Sequence, residues 1–373
     1  LESKPKASKT EELLMKTLFP LYLSLWLGLA ACAAPSAPPA PAESASPAES
    51  AAEAPTLGRW ALAIHGGAGV ERASLPAELE GPYQEALKAA LTLGKSMLED
   101  GASSLDTVEA VVRHMEDDPL FNAGKGAVFT SEGTNELDAA IMDGSTLNCG
   151  AVSGIKTVKN PITLARRVMD RSRHVFLMGE GAERFADEMG LERVPQEYFF
   201  VQRRYDSWQR AVEREKQEAA DGDSAALLAM TDGEDRHGTV GAVALDQAGN
   251  LAAATSTGGL TNKRFGRVGD VPIIGAGTYA NNATAAISCT GVGEQFIRNT
   301  VASSVSARVE LAGESLEQAA REVIHGKLQP GDGGLIAVGK DGAIVHSFNS
   351  EGMFRGAADS GGRFDVAVWA DGD

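Results

Sequence analysis

Gly238 and Thr239 stand side by side, after a long charged stretch and before the apolar run Val240 to Ala244. A glycine can take a strained backbone conformation that turns its carbonyl toward the hydroxyl of the next residue. Attack by the Thr239 hydroxyl would move the acyl group from nitrogen to oxygen. Hydrolysis of the resulting ester would free the Thr239 amine, which can then act as the base for its own hydroxyl. Taken alone, the pair reads more simply as the start of a strand, so the choice rests on its surroundings.

Other familiar devices are missing from the sequence. It contains no G-x-S-x-G elbow, no H-E-x-x-H and no G-x-x-x-x-G-K-[ST] loop. His65-Gly66-Gly67 resembles an esterase oxyanion loop, but it has little value without a nucleophile elbow. The six histidines (His65, His114, His174, His237, His325 and His346) form no metal spacing and read as structural or exposed. Cys149 and Cys289 read as small buried apolar residues, and the three cysteines fit no zinc motif. The 373 residues are 43 % hydrophobic, enough for a core and against disorder of the whole chain. A net charge of −17 argues against a nucleic-acid partner, which would need clustered Lys and Arg.

The elements that must position Gly238-Thr239 can be read on either side of it. Trp60 to Ile64 reads as a buried strand ending in a tight HGGAG turn at 65–69. Residues 82 to 100 have helical periodicity, and Ser103 with Asp106 caps a second helix running to Met115. Asn160-Pro161 starts another helix, and residues 180 to 189 form one ended by Gly190. Arg204 to Glu218 reads as an exposed helix within a charged segment (203–236) that otherwise reads as a solvated loop. Strands are expected at 239–245, 251–256, 273–277, 334–338, 343–348 and 365–369, with helices at 296–311 and 316–328. These mixtures show no linker between two cores, so 57–373 reads as one α+β domain.

The first 56 residues read differently. Leu18 to Ala31 is an uncharged apolar run, too short to span a bilayer and suited to an export signal. It ends in Leu29-Ala30-Ala31-Cys32, which resembles a bacterial lipobox with Cys32 as the lipidated residue. Residues 33–56 are Pro, Ala, Ser and Glu, the composition of an extended tether. The division expected is 1–31 upstream residues and signal, 32–56 lipidated Cys and tether, and 57–373 the folded domain. Export, with membrane attachment through the lipid alone, follows from that reading.

The folded part resembles the plant-type asparaginase / isoaspartyl peptidase family, threonine N-terminal nucleophile hydrolases that cut themselves. The blocks that carry the resemblance are HGGAG at 65–69, PLFNAGKGAVFTSEGTNELDAAIMDG at 119–144, GAVSGIKTVKNPITLAR at 150–166, HGTVGAVALDQAGNLAAATSTGG at 237–259, RVGDVPIIGAGTYA at 267–280 and CTGVGE at 289–294. The resemblance implies a four-layer αββα sandwich. It also implies cleavage between Gly238 and Thr239, giving an α-chain that ends at Gly238 and a β-chain of 239–373. Thr239 would be the nucleophile and Thr257 the hydroxyl that polarises it. Thr290 and Gly291 would form the oxyanion hole, and Asn122 would position the nucleophile and assist processing. Arg267 and Asp270 would grip the substrate α-carboxylate and α-ammonium, with Gly291 allowing close approach and the Gly293 carbonyl meeting the ammonium.

The same resemblance implies a structural sodium ion on main-chain carbonyls of the loop Met115, Glu116, Asp118, Phe121, Ala123 and Lys125, no organic cofactor, and a dimer of αβ units. The substrates implied are L-asparagine and β-aspartyl dipeptides. Glycosylasparaginase is the nearest alternative, although that branch typically has aspartate before its threonine. A surface-binding lipoprotein that does not process itself is an alternative of another class.

Overall fold

The computed structural model describes residues 58–220 and 238–370. The upstream segment with Cys32, the tether, His237 and most of the solvated loop lie outside the described residues. The chain opens with strand β1 (Ala61–Val70) and helices α1 (Ala77–Glu99) and α2 (Ser104–Glu116). Strands β2 (Leu137–Asp143) and β3 (Cys149–Ile155) follow, then α3 (Pro161–Arg171), β4 (Phe176–Met178), α4 (Gly179–Glu188) and α5 (Gln202–Ala220). After Thr239 come β5 (Val240–Leu245), β6 (Leu251–Thr257), β7 (Thr278–Ala280) and β8 (Ala285–Gly291). Helices α6 (Gly293–Asn299), α7 (Val301–Ala312) and α8 (Leu316–Lys327) precede β9 (Gly333–Gly339), β10 (Ile344–Phe348), β11 (Gly352–Asp359) and β12 (Phe364–Trp369).

The strands make two sheets. One has eight strands in the order β12-β11-β1-β5-β6-β2-β3-β4, and the other has four in the order β10-β9-β8-β7. Strand alternation then builds the layers. Leu62 and Ile64 of β1 pack with Leu87, Leu91, Val108 and Val111 of α1 and α2, while Ala61 and Ala63 face the second sheet. On β8, Ile287 and Cys289 meet Val305 of α7 and Val323 of α8, while Ala286 turns inward with Ile336 and Val338. Helices, sheet, sheet and helices therefore stack as the expected αββα sandwich. Each large side chain fully buried in the two outer cores contributes about 1.5–3 kcal/mol. The layer between the sheets mixes alanines with larger Val, Leu, Ile and Met side chains, and buried hydroxyls are set among them.

Several expected elements are shifted. HGGAG forms no tight turn: β1 runs through it to Val70, with irregular register between His65 and Gly67 and again between Ala68 and Val70. Ile273–Gly277 is not a strand. The N–H groups of Ile273, Ala276 and Gly277 bond back to Asp270 and Ile273 carbonyls, so that segment is satisfied by its own turns and pairing begins at Thr278. The helix expected at 296–311 is two helices, broken at Thr300 with φ +45. The α2 start holds, with Ser103 Oγ accepting the Asp106 N–H at 3.1 Å. Helix α5 is not exposed all round, because Arg204, Ser207 and Ala211 are buried. Cys289 is buried but Cys149 is only partly so.

Candidate active site

Pairing between β5 and β6 creates the first half of the site. Val240 lies opposite Ser256, so the next positions, Thr239 and Thr257, fall opposite one another at the end of the β5–β6 pair. Their hydroxyl oxygens are 2.9 Å apart. The Thr257 hydroxyl also accepts the Gly259 N–H at 3.0 Å, which leaves its own proton available to Thr239. Were Thr239 Oγ to give up its proton in an attack, Thr257 would become the donor in this pair.

Asn122 ties this corner together through four contacts. Its main-chain N–H donates to the Gly238 carbonyl at 2.8 Å, and its own carbonyl accepts the Gly258 N–H at 3.0 Å. Its side chain donates to the Gly259 carbonyl at 2.8 Å and accepts the Val128 N–H at 3.0 Å. Gly238 has φ +123, a conformation that L side chains rarely adopt, and a Cβ there would overlap the Asn122 main chain. The peptide before Thr239 therefore holds a conformation that glycine alone takes readily, with a donor on its carbonyl.

The second half of the site is charged. Arg267 meets Glu294 in a two-point pair, Nε to Oε1 at 2.9 Å and Nη2 to Oε2 at 2.8 Å. Burial alone would raise the Glu294 pKa, but the Arg267 hydrogen bond and charge override it and hold the carboxyl below the usual range. Asp270 is buried, and its Oδ2 has no hydrogen-bond partner among the described groups. Burial pushes the Asp270 carboxyl up to about 7, against the pull of Arg267. A Cβ at Gly293 would lie 2.9 Å from Arg267 Nη2 and 3.0 Å from Asp270 Oδ1, so this glycine borders both charged groups.

Thr290 and Gly291 lead into the charged half. They end β8, and Gly293 opens α6 two residues later. The Thr290 hydroxyl accepts the Ala68 N–H at 3.3 Å, a link from β8 to β1, while pairing with β11 keeps the HGGAG segment in its sheet. Gly291 packs against the Asp332–Gly333 backbone, where a Cβ would overlap the Asp332 carbonyl.

The loop leading to Asn122 carries main-chain oxygens suited to a hard alkali cation. The Met115, Asp118 and Ala123 carbonyls each accept one N–H, from Asp118, Phe121 and Gly126, and each keeps a second lone pair. The carbonyls of Glu116 and Phe121 face Gly124 and Gly126 so closely that a Cβ at either glycine would overlap them. Beneath the loop, burial pushes the Glu116 carboxyl up to about 8. Its Oε1 accepts from Ser256 Oγ at 2.6 Å and from the Ile162 N–H at 3.0 Å, and its Oε2 is unpartnered. This donor chemistry fits sodium, with Met115, Glu116, Asp118, Phe121, Ala123 and Lys125 as the residues whose carbonyls would hold it.

Two groups at the site were not singled out from the sequence as site residues. Glu294 ends the CTGVGE block, where an acid three residues beyond Gly291 was a readable partner for Arg267. His65, read as structural, contacts the carbonyl of Thr239 itself at 3.0 Å.

Comparison with known proteins agrees with this geometry. The family profile described as Asparaginase matches residues 58–368. The isoaspartyl peptidase of Escherichia coli (strain K12) is 50 % identical over 302 residues, covering 80 % of this chain and 92 % of its own. That of Salmonella typhimurium is 52 % identical over 297 residues, covering 79 % and 93 %. The probable isoaspartyl peptidase/L-asparaginase 2 of Arabidopsis thaliana is 46 % identical over 326 residues, covering 84 % of this chain and all of its own. The match spans the sandwich from β1 to β12, both halves of the site included, and the chain belongs to the asparaginase family.

Proposed function

We propose that this chain is an amidohydrolase that cleaves itself before Thr239 and then releases L-aspartate from β-aspartyl dipeptides and L-asparagine. The observation that carries the reading is the 2.9 Å contact between Thr239 Oγ and Thr257 Oγ, directly after a Gly238 at φ +123 whose carbonyl is held by Asn122. The names of the relatives support the substrate class.

Self-cleavage begins when Thr239 Oγ attacks the Gly238 carbonyl carbon. The Asn122 N–H donates to the oxygen on which negative charge develops. The C–N bond breaks, the nitrogen takes a proton, and an ester joins Gly238 to Thr239 Oγ. Water hydrolyses that ester and leaves a free Thr239 amine. In the mature enzyme this amine takes the hydroxyl proton as Oγ attacks the substrate side-chain carbonyl. Thr290 Oγ–H and Gly291 N–H receive the oxyanion, each donor worth about 3–4 kcal/mol in the transition state. The amine protonates the leaving ammonia or amino acid, and water frees L-aspartate from the acyl-enzyme.

The charged half holds the amino-acid head group. Arg267, aimed by Glu294, takes the α-carboxylate, and Asp270 with the Gly293 carbonyl takes the α-ammonium. The unpartnered Asp270 Oδ2 is ready for that cation. This route uses no organic cofactor. A sodium ion on the 115–125 loop would fix the segment that carries Asn122.

The glycosylasparaginase alternative places aspartate before the threonine. Its Cβ would overlap Asn122 here, which disfavours that reading. The export, lipidation at Cys32 and αβ dimer expected from the sequence stand as parts of the same proposal. Denaturing electrophoresis of purified protein tests the core of it. Two chains, one beginning at Thr239, are expected together with ammonia release from asparagine; a single chain that persists overturns the reading.

A further inference from the structure

A chain of side-chain hydrogen bonds crosses the layer between the sheets, and the route above does not use it. From one end, the Val271 carbonyl lies 3.1 Å from Thr278 Oγ, and Thr278 Oγ lies 2.7 Å from Thr255 Oγ. Thr255 Oγ lies 2.7 Å from Ser288 Oγ, Ser288 Oγ 2.8 Å from His65 Nε2, and His65 Nδ1 3.0 Å from the Thr239 carbonyl. All four side chains are fully buried. Gly241 makes room for them, since a Cβ there would overlap both Ser288 Oγ and His65 Nε2.

Proton counting gives the chain a direction. Both ends are carbonyl oxygens, which only accept. Five contacts need five protons; the three hydroxyls supply three and a neutral imidazole one. The ring is neutral, because burial lowers its pKa to about 3 despite the opposing contact with the Thr239 carbonyl. One contact must therefore lack a proton. A gap at any inner link would leave two acceptors 2.7–2.8 Å apart in a dry layer. A gap at the Thr239 end would face an imidazole lone pair against a carbonyl oxygen. A gap at Val271 falls on the longest contact and costs least.

We infer that the relay runs one way, Thr278 to Thr255 to Ser288 to His65, holding His65 as the Nδ1–H tautomer, and that His65 is a positioning residue for Thr239. Its Nδ1–H donates to the Thr239 carbonyl and fixes the rotation of that residue, which keeps Oγ against Thr257. The assignment rests on Thr239 being the nucleophile.

The tautomer is read from the ring ¹⁵N signals of His65 in the purified protein, identified by their loss in a His65 variant. A protonated Nδ1 is expected, and a protonated Nε2 overturns the relay. Function is read from two substitutions. His65→Asn puts an amide nitrogen close to the Nδ1 position, whereas His65→Gln reaches the Nε2 position. We expect His65→Gln to slow chain separation and lower kcat by roughly tenfold or more, the loss of one hydrogen bond at the reacting residue. His65→Asn should stay within roughly threefold of the parent, with KM unchanged in both. Equal rates for the two variants overturn the positioning role. Should both fail to fold, Ser288→Ala removes the proton donor at Nε2: Nδ1 should stay protonated on the Thr239 carbonyl while the unprotonated Nε2 signal moves downfield, and an unmoved Nε2 signal overturns the relay. Full activity in Thr239→Ala would instead overturn the nucleophile reading, leaving the tautomer result intact.

Discussion

Around Thr239 the polar contacts join neutral groups: two hydroxyls, the Asn122 amide, glycine backbone and a buried imidazole. Each is paired before any substrate arrives. Around Arg267 the groups are charged, and the buried Asp270 Oδ2 has no partner among the described groups. On the proposed function the first region serves a bond change within the chain itself, so it can be complete in the unprocessed protein. The second would take its remaining partner, the substrate ammonium, at Asp270 Oδ2. A buried carboxyl without a partner costs stability, and a bound ammonium would recover that cost. On the proposed route Thr290 to Gly293 would link the two, with Gly293 bordering both Arg267 and Asp270.

Breaking the neutral region should have the largest effects. Thr239→Ala should stay a single chain and lose activity by at least roughly 10⁴-fold, the scale of removing a nucleophile; electrophoresis and ammonia release measure both. Thr257→Ala should fold and lower kcat by roughly 10²–10³-fold with little change in KM, as for a lost charge-stabilising donor. Gly238→Ala removes the compatibility with φ +123 and pushes on Asn122, so chain separation should slow by roughly tenfold or more on a timed gel.

The charged region should respond in KM instead. Arg267→Lys keeps the charge and loses the planar fork, so KM should rise roughly tenfold or more with a smaller change in kcat. Glu294→Gln should raise KM more mildly. Asp270 sharpens the contrast through pH. Its pKa, about 7 in the free protein, is raised by burial, and only the ionised form accepts an ammonium. Inhibition by L-aspartate should therefore be full above that value and weaken by about tenfold for each pH unit below it. Asp270→Asn should bind poorly at every pH and lose that slope; a retained slope would assign it to another group.

Much of this contrast was legible in the sequence, and the parts that were not have physical reasons. Gly238-Thr239, STGG and RVGD stand as contiguous blocks, and the β5–β6 register needed only a short hairpin to bring Thr239 to Thr257. The αββα layers followed from the resemblance. The Ala-rich β2 and β11 (LDAAIMD, GMFRGAAD) carry too little β-branched or aromatic signal to read as strands from pattern alone. Ile273–Gly277 looked like a strand because it is apolar, but its N–H groups close turns on Asp270 and Ile273. His65 looked merely structural because its partners, Ser288 and the Thr239 carbonyl, lie 223 and 174 residues away. No local spacing encodes such a contact. Glu294 was closer to hand, yet its pairing with Arg267 depends on how the 258–270 segment returns to the start of α6.

On the proposed route Thr239 becomes a chain terminus and then does the chemistry. Intact-mass analysis with N-terminal sequencing of the purified protein, before and after it gains activity on a β-aspartyl dipeptide, tests it most directly. Activity should rise in step with a chain beginning at Thr239 and never precede it. Full activity in an uncut chain, or a cut elsewhere that activates the enzyme, would contradict it.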